Sequence, residues 1–144
     1  MKVEFWMIGK TAFSYLEEGM AVYEKRLKHY LPLNLEVMPD IKNAKNLSSQ
    51  DLKAKEGALI LKKLKDDDLL ILLDEKGKEY SSLSFSTFIE KQLSAPKKRI
   101  VFQLGGAYGF SSEVYERADM KISLSKMTFS HQMIRLFFLE QLYR

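Results

Sequence analysis

Three glycines fall within five residues at Gly105-Gly106-Ala107-Tyr108-Gly109, directly after the apolar run Ile100-Val101-Phe102-Gln103-Leu104. Glycines at a strand end permit positive φ and close approach of a ligand to the backbone. A tight strand–helix turn needs the same residues, so both readings stand. The spacing is not G-x-G-x-x-G and no Gly-Lys-Ser/Thr follows, which excludes the dinucleotide fingerprint and the phosphate loop. Two further predicted strands pass into polar loops: the apolar run Leu69-Leu70-Ile71-Leu72-Leu73 before Asp74, and the short strand Lys121-Ile122-Ser123-Leu124 before Ser125. Leu73, Gly105 and Leu124 each close a predicted strand and should lie along one sheet edge. In an open α/β sheet, ligands bind outside the carboxyl ends of the strands. Loops there can hold a small nucleotide-like cofactor with backbone amides and carbonyls, without a metal or a cysteine.

Beyond the second loop, His131 is one of two histidines and sits beside Ser130, a predicted helix cap. It stands one turn before Arg135 on the same helix face. A histidine there is a capping or core hydrogen-bonder, or it touches a ligand. The helix over residues 132–143 carries Met133, Ile134, Leu136, Phe137, Phe138, Leu139 and Leu142, apolar nearly all round and so largely buried. A charged residue in such a helix needs a partner. Glu140 and Arg144 can pair at i, i+4. Arg135 has no carboxylate four residues on, which leaves it free for a ligand phosphate or carboxylate. The all-round apolar surface also predicts a homodimer that buries part of this helix.

The elements that position these residues alternate. A strand over residues 3–8 ends at Gly9. A helix over 14–30 is stopped by Pro32. A strand over 33–38 and a polar loop over 40–49 precede a helix to about Lys65, capped by Ser48 or Ser49. Asp66-Asp67-Asp68 reads as a solvated turn. A central strand over 69–73 and a polar loop over 74–80 lead to a helix capped by Ser82 or Ser84. Strands follow over 99–104 and 121–124, with a short helix capped by Ser111 between them. Strand and helix thus alternate about five times, the pattern of a mostly parallel sheet with helices on both faces. There is no internal repeat and no linker, so residues 1–144 read as one α/β domain.

The chain of 144 residues is 46% hydrophobic and 12% aromatic, enough for a packed core. It has no cysteine, which removes disulfides, thiolate nucleophiles and cysteine–metal sites. No metal site is expected. No signal-peptide pattern opens the chain. No apolar run approaches the roughly 20 residues of a membrane helix, so a cytoplasmic protein without membrane contact is expected. The formal charge of +4 suits a polyanionic partner without requiring one. The basic clusters Lys25-Arg26, Lys62-Lys63 and Lys97-Lys98-Arg99 read as solvated faces or turns, and no basic stripe with interleaved aromatics stands out.

Several segments taken together resemble the RlmH family of the SPOUT methyltransferase superfamily. They are V-E-F-W-M-I-G-K, V-Y-E-K-R-L-K-H-Y, K-E-G at Lys55 to Gly57, L-D-E-K-G-K at Leu73 to Lys78, L-G-G-A-Y-G, S-K-M-T-F-S-H-Q-M-I-R and E-Q-L-Y-R. The resemblance implies an α/β sheet with a C-terminal trefoil knot. It implies a homodimer with its cofactor pocket near the dimer interface. The implied reaction moves a methyl group from S-adenosyl-L-methionine to N3 of a pseudouridine in large-subunit 23S rRNA, on the assembled ribosome. By motif position, the cofactor contacts fall on Leu73, Gly105, Leu124, Ser125, Lys126, Met127, Thr128 and Phe129. His131, Arg135 and Arg144 are the substrate-side candidates. No general base is assigned, though His131 is near enough in sequence to be one. Family members usually continue past the L-Y-R segment into a tail that helps complete the substrate side. Its absence here raises an alternative, a non-catalytic ribosome-binding module that retains the fold and cofactor pocket. A flavodoxin-like nucleotide-binding protein is a third reading, against which the lack of a matching phosphate loop weighs.

Overall fold

The computed structural model describes every residue except Met1, Ala107, Lys126 and Thr128. Five strands form one parallel sheet: β1 (Lys2–Ile8), β2 (Leu33–Met38), β3 (Leu69–Glu79), β4 (Arg99–Leu104) and β5 (Met120–Ser123). Their order across the sheet is β2-β1-β4-β3-β5. The helices are α1 (Ser14–Leu27), α2 (Ser49–Lys63), α3 (Ser82–Leu93), α4 (Ser112–Arg117) and α5 (Met133–Tyr143). The α/β pattern with a parallel sheet is as the sequence predicts.

Successive strand residues point to opposite faces, so a sheet covered on both faces needs continuous apolar runs. On one face Val3, Phe5, Met7, Ile71 and Phe102 pack with Met20 of α1, Phe85 of α3 and Phe138 of α5. On the other, Trp6, Ile8, Leu70, Leu72 and Val101 pack with Ile60 of α2 and Val114 of α4. The Phe138 ring lies 4.6 Å from Phe5 and 5.0 Å from Phe102, which seats α5 on the middle of the sheet. Gly19 lets α1 close on α5, since a Cβ there would stand 2.9 Å from Leu136 Cδ1.

Serines start every helix but α1. Ser48 Oγ accepts the Asp51 N–H at 3.1 Å, and Ser111 Oγ accepts that of Val114 at 3.4 Å. For α3 the cap is Ser81, not Ser82 or Ser84; its Oγ accepts the Ser84 N–H at 3.1 Å. Ser130 Oγ accepts the Met133 N–H at 3.1 Å, fixing the entry to α5.

One element differs from expectation. The polar segment 74–79 is not a loop but the continuation of β3. Ile122 of β5 pairs with both Leu73 and Lys78, so residues 74–77 bulge out and the chain returns to the same partner. Gly77 makes this possible, because a Cβ there would lie 2.6 Å from the Ile122 backbone. The bulge displays Asp74, Glu75 and Lys76 beside the end of β4.

Candidate functional site

In a parallel sheet all strands end at the same edge. Here Gly9, Asp40, Gly105, Asp74 and Leu124 follow the apolar portions of β1, β2, β4, β3 and β5. A cavity of about 540 Å³ opens at the ends of β3, β4 and β5. That lies within the roughly 300–1,000 Å³ of small-molecule sites. Leu73, Gly105, Leu124, Ser125, Met127 and Phe129 all line it. Lys126 and Thr128, the other two residues expected at the cofactor, lie outside the described residues.

The loops owe their shape to short-range bonds. The Gly109 N–H donates to the Gly106 carbonyl at 3.2 Å, and Gly109 takes φ +88°, a conformation that favours glycine. Gly105 is buried against Phe110, whose Cζ would stand 3.2 Å from an added Cβ. On the facing wall, Ser123 Oγ donates to the Ser125 carbonyl at 2.9 Å, and Ser125 Oγ accepts the Met127 N–H at 2.9 Å. Phe129 is half-exposed and meets Phe137 edge-on at 4.9 Å.

The β3 bulge supplies an acidic wall. The Asp74 carboxylate accepts the Lys76 N–H at 2.9 Å and the hydroxyl of Tyr115. Burial, and then the hydrogen bond to Asp74 and its charge, push the Tyr115 hydroxyl above the ordinary phenol range, so it remains a donor.

His131 stands at the cavity rim. Burial and the Arg135 guanidinium lower its pKa, with Asp40 opposing, so the imidazole is neutral near pH 7. Arg135 is fully buried and does not face the cavity. Its Nη1 donates to the Gly9 carbonyl at 2.8 Å and to Thr11 Oγ1 at 3.1 Å; Nη2 donates to the Ile8 carbonyl at 2.8 Å; Nε donates to the His131 carbonyl at 3.2 Å. Its donors bind the chain itself, a correction to the expectation of a free guanidinium. The missing i+4 carboxylate was the wrong test, because the carbonyls at the end of β1 needed partners too. Arg144 lies about 20 Å along the helix axis from His131. It is exposed and pairs with Glu140 at 2.9 Å, as the i, i+4 spacing predicts.

Two carboxylates at this edge were not singled out from the sequence. The Asp40 side chain lies over Gly9, and that of Glu56 lies over Gly106, where an added Cβ would stand 2.6 Å from Oε2. Glu56 is 7% exposed and has no hydrogen-bond partner among the described residues. Burial, and then the charge of Asp40, raise its pKa to about 6. The sequence held a signal, since Leu52, Glu56 and Ile60 recur every fourth residue and share a face.

A second cavity of about 370 Å³ lies between α3 and α5, sharing the 123–125 segment and Phe129 with the first. Among the described residues, no group of three or more His, Cys, Asp or Glu is placed to hold a metal. No helix among them is long and apolar enough to cross a membrane.

In the larger cavity Leu73, Leu104, Leu124 and Ile134 give apolar walls, the glycine loop exposes backbone, and the bulge brings carboxylates. A family described as "Predicted SPOUT methyltransferase" matches residues 1–144. The chain is 58% identical to the ribosomal RNA large subunit methyltransferase H of Parabacteroides distasonis. It is 56% identical to that of Cytophaga hutchinsonii and 54% to that of Christiangramia forsetii. Each match covers the whole of this chain and 92% of the relative. With a five-stranded parallel sheet, a cavity at its carboxyl edge and matches over its full length, the chain belongs to the SPOUT methyltransferase family, alongside the large-subunit methyltransferases H.

Proposed function

We propose that the chain is an S-adenosylmethionine-dependent methyltransferase of large-subunit ribosomal RNA. The finer reading places the acceptor at N3 of a pseudouridine in 23S rRNA. One observation carries most weight: Leu73, Gly105, Leu124, Ser125, Met127 and Phe129, drawn from three strand ends, line one cavity of adequate size. The names of the relatives supply the RNA class.

The bound donor supplies a methyl group already activated on a sulfonium. The protein must align the acceptor nitrogen and take its proton. Leu73 and Leu124 would pack the adenosyl group, while backbone of Gly105, Ser125 and Met127 would meet its polar atoms. Asp74, held by Tyr115 and the Lys76 N–H, would face the donor from the β3 bulge. His131, neutral and at the rim, accepts the imide proton. Arg135 holds the His131 segment against β1, and burial first, then the Arg135 charge, disfavours the imidazolium.

The same reading takes residues 1–144 as one domain with the family's C-terminal knot. It also takes the protein as a homodimer that works on the ribosome in the cytoplasm. Phe13, Tyr15, Val22 and Tyr30 on and beside α1 are exposed apolar surface of the kind a second copy covers. With a charge of only +4, recognition should rest on the shape of the assembled ribosome, with binding weakened by salt.

The test is incubation of ribosomes lacking the modification with protein and methyl-labelled donor, followed by mapping of the labelled base. Label at one pseudouridine of the large-subunit RNA is the expected result. Ribosome binding without transfer would favour the non-catalytic module instead. Equal labelling of a naked stem-loop would refute recognition by ribosome shape.

A further inference from the structure

We propose that Glu56, backed by Asp40, makes the cavity discriminate by charge, favouring the cationic methyl donor over its neutral thioether product. The inference rests on the methyltransferase reading above and adds a specificity residue to that site.

Methyl transfer breaks the carbon–sulfur bond with its electron pair left on sulfur, forms the carbon–nitrogen bond, and sends the imide proton to a base. The ligand left behind differs from the donor by one methyl group and one positive charge. Contacts to adenine, ribose and the amino-acid end are common to both, so they cannot separate donor from product. A fixed negative charge close to the sulfur can.

Glu56 is built for that. It is 7% exposed, yet no described residue donates a hydrogen bond to it. Its oxygens keep some contact with solvent, since Gln103 Oε1 is the one side-chain atom among the described residues sealed from water without a partner; a carboxylate so shielded and without a donor is still costly, and such groups concentrate at functional sites. Its Oε2 stands 2.6 Å from where a Gly106 Cβ would be; Gly106 lines the cavity, and Glu56 and Asp40 stand behind that wall. The absence of a Cβ at residue 106 therefore lets the carboxylate reach the back of the ligand wall. The groups around it come from every adjoining element. Asp40, from the segment after β2, adds negative charge. The loop after β4 brings Gly106. Ser111, which caps α4, and Val114 of α4 lie against the neighbouring Gly57. His131 and Arg135 lie beyond Asp40, whose charge both feel. Arg135 is held by carbonyls of β1 and of residue 131, so its guanidinium is not spent on Glu56. A cation at the ligand sulfur would supply the missing partner.

Titration calorimetry on the intact protein tests this with three probes: S-adenosylmethionine, its thioether product, and the sulfur-free analogue that carries an amine in place of the sulfonium. At pH 7.5 the preference for the two cations over the thioether should fall about tenfold in Glu56→Gln, with thioether affinity nearly unchanged. Asp40→Asn should shift it the same way by less, and serves if Glu56→Gln folds poorly. Between pH 7 and pH 5 the preference of the unaltered protein should decline as Glu56 takes up a proton, and that of Glu56→Gln should stay flat. A slope that persists in Glu56→Gln would assign the effect to His131 and overturn the proposal. Equal loss of affinity for all three probes would make Glu56 a mere support of the loop, and also overturns it. Absence of binding of any probe to the unaltered protein would instead defeat the methyltransferase reading itself.

Discussion

The two edges of the sheet treat their most buried carboxylates in opposite ways. At the amino edge, Arg99 donates to Asp68 at 3.0 and 2.5 Å and to Glu4 at 3.1 Å, while Trp6 Nε1 donates to Glu4 at 2.7 Å. Arg117 closes the same corner through the Lys65 and Asp68 carbonyls at 3.0 and 2.9 Å. At the carboxyl edge, Glu56 is as deeply buried as Glu4, 7% against 9% exposed, but has no partner among the described residues. The pKa shifts follow. Burial would raise Asp68, yet the hydrogen bonds from Arg99 and the Lys65 amide outweigh it and hold the carboxyl low. Burial and Asp40 push Glu56 up to about 6. One edge is finished as structure. The other keeps charge and glycine backbone in reserve, and that is the edge with the cavity.

The sharpest break of this contrast is Arg99→Ala. It leaves Asp68 and Glu4 buried without their cation and should cost about 3 kcal/mol in chemical denaturation. Donor affinity of the folded variant should be unchanged. If affinity falls with stability, the two edges are not independent.

His131→Gln acts at the other edge. It should lower methyl transfer by roughly 100-fold, the usual scale of a lost acid–base group, while donor binding stays within about threefold. Arg135→Met should behave differently from what a phosphate-binding arginine would show. It strands the Ile8 and Gly9 carbonyls and should destabilise the fold by about 2 kcal/mol, with the loss read in thermal unfolding before any effect on kcat of the folded protein.

Glu56→Gln gives the smaller effect and has a defined pH sign. The folded pKa near 6 lies above the ordinary glutamate value of 4.5, so the native state binds more protons than the unfolded chain between those values. The stability Glu56 contributes is fully present below about pH 4.5 and is lost as pH rises through 6. Relative to the unaltered protein, Glu56→Gln should therefore gain up to about 2 kcal/mol at pH 8 and nothing at pH 4. A gain that is the same at both pH values would mean that the carboxylate is not strained. Ser111→Ala removes only a helix cap and should cost about 1 kcal/mol at any pH.

Much of this was legible in the chain. Leu69 to Leu73 is a continuous apolar run, and Ile100 to Leu104 is broken only by Gln103, because both faces of a parallel sheet are covered. Leu73, Gly105 and Leu124 could be set on one edge because each closes a predicted strand. What escaped reading has physical causes. The β3 bulge is a matter of backbone pairing, and the polar string Asp74 to Glu79 carries no strand periodicity. Arg135 looked free because its partners are main-chain carbonyls more than a hundred residues away in sequence. Glu56 was visible only within the K-E-G segment; its place on the apolar stripe of α2 was the unused signal.

The most direct test of the central claim, that the carboxyl-edge cavity holds the methyl donor, is a crystal structure with the thioether product bound. The expected result is density for the adenosyl group against Leu73, Gly105 and the 124–129 loop, with the sulfur on the Gly106 side. Density in the second cavity between α3 and α5, or on the amino edge beside Arg99, would contradict it.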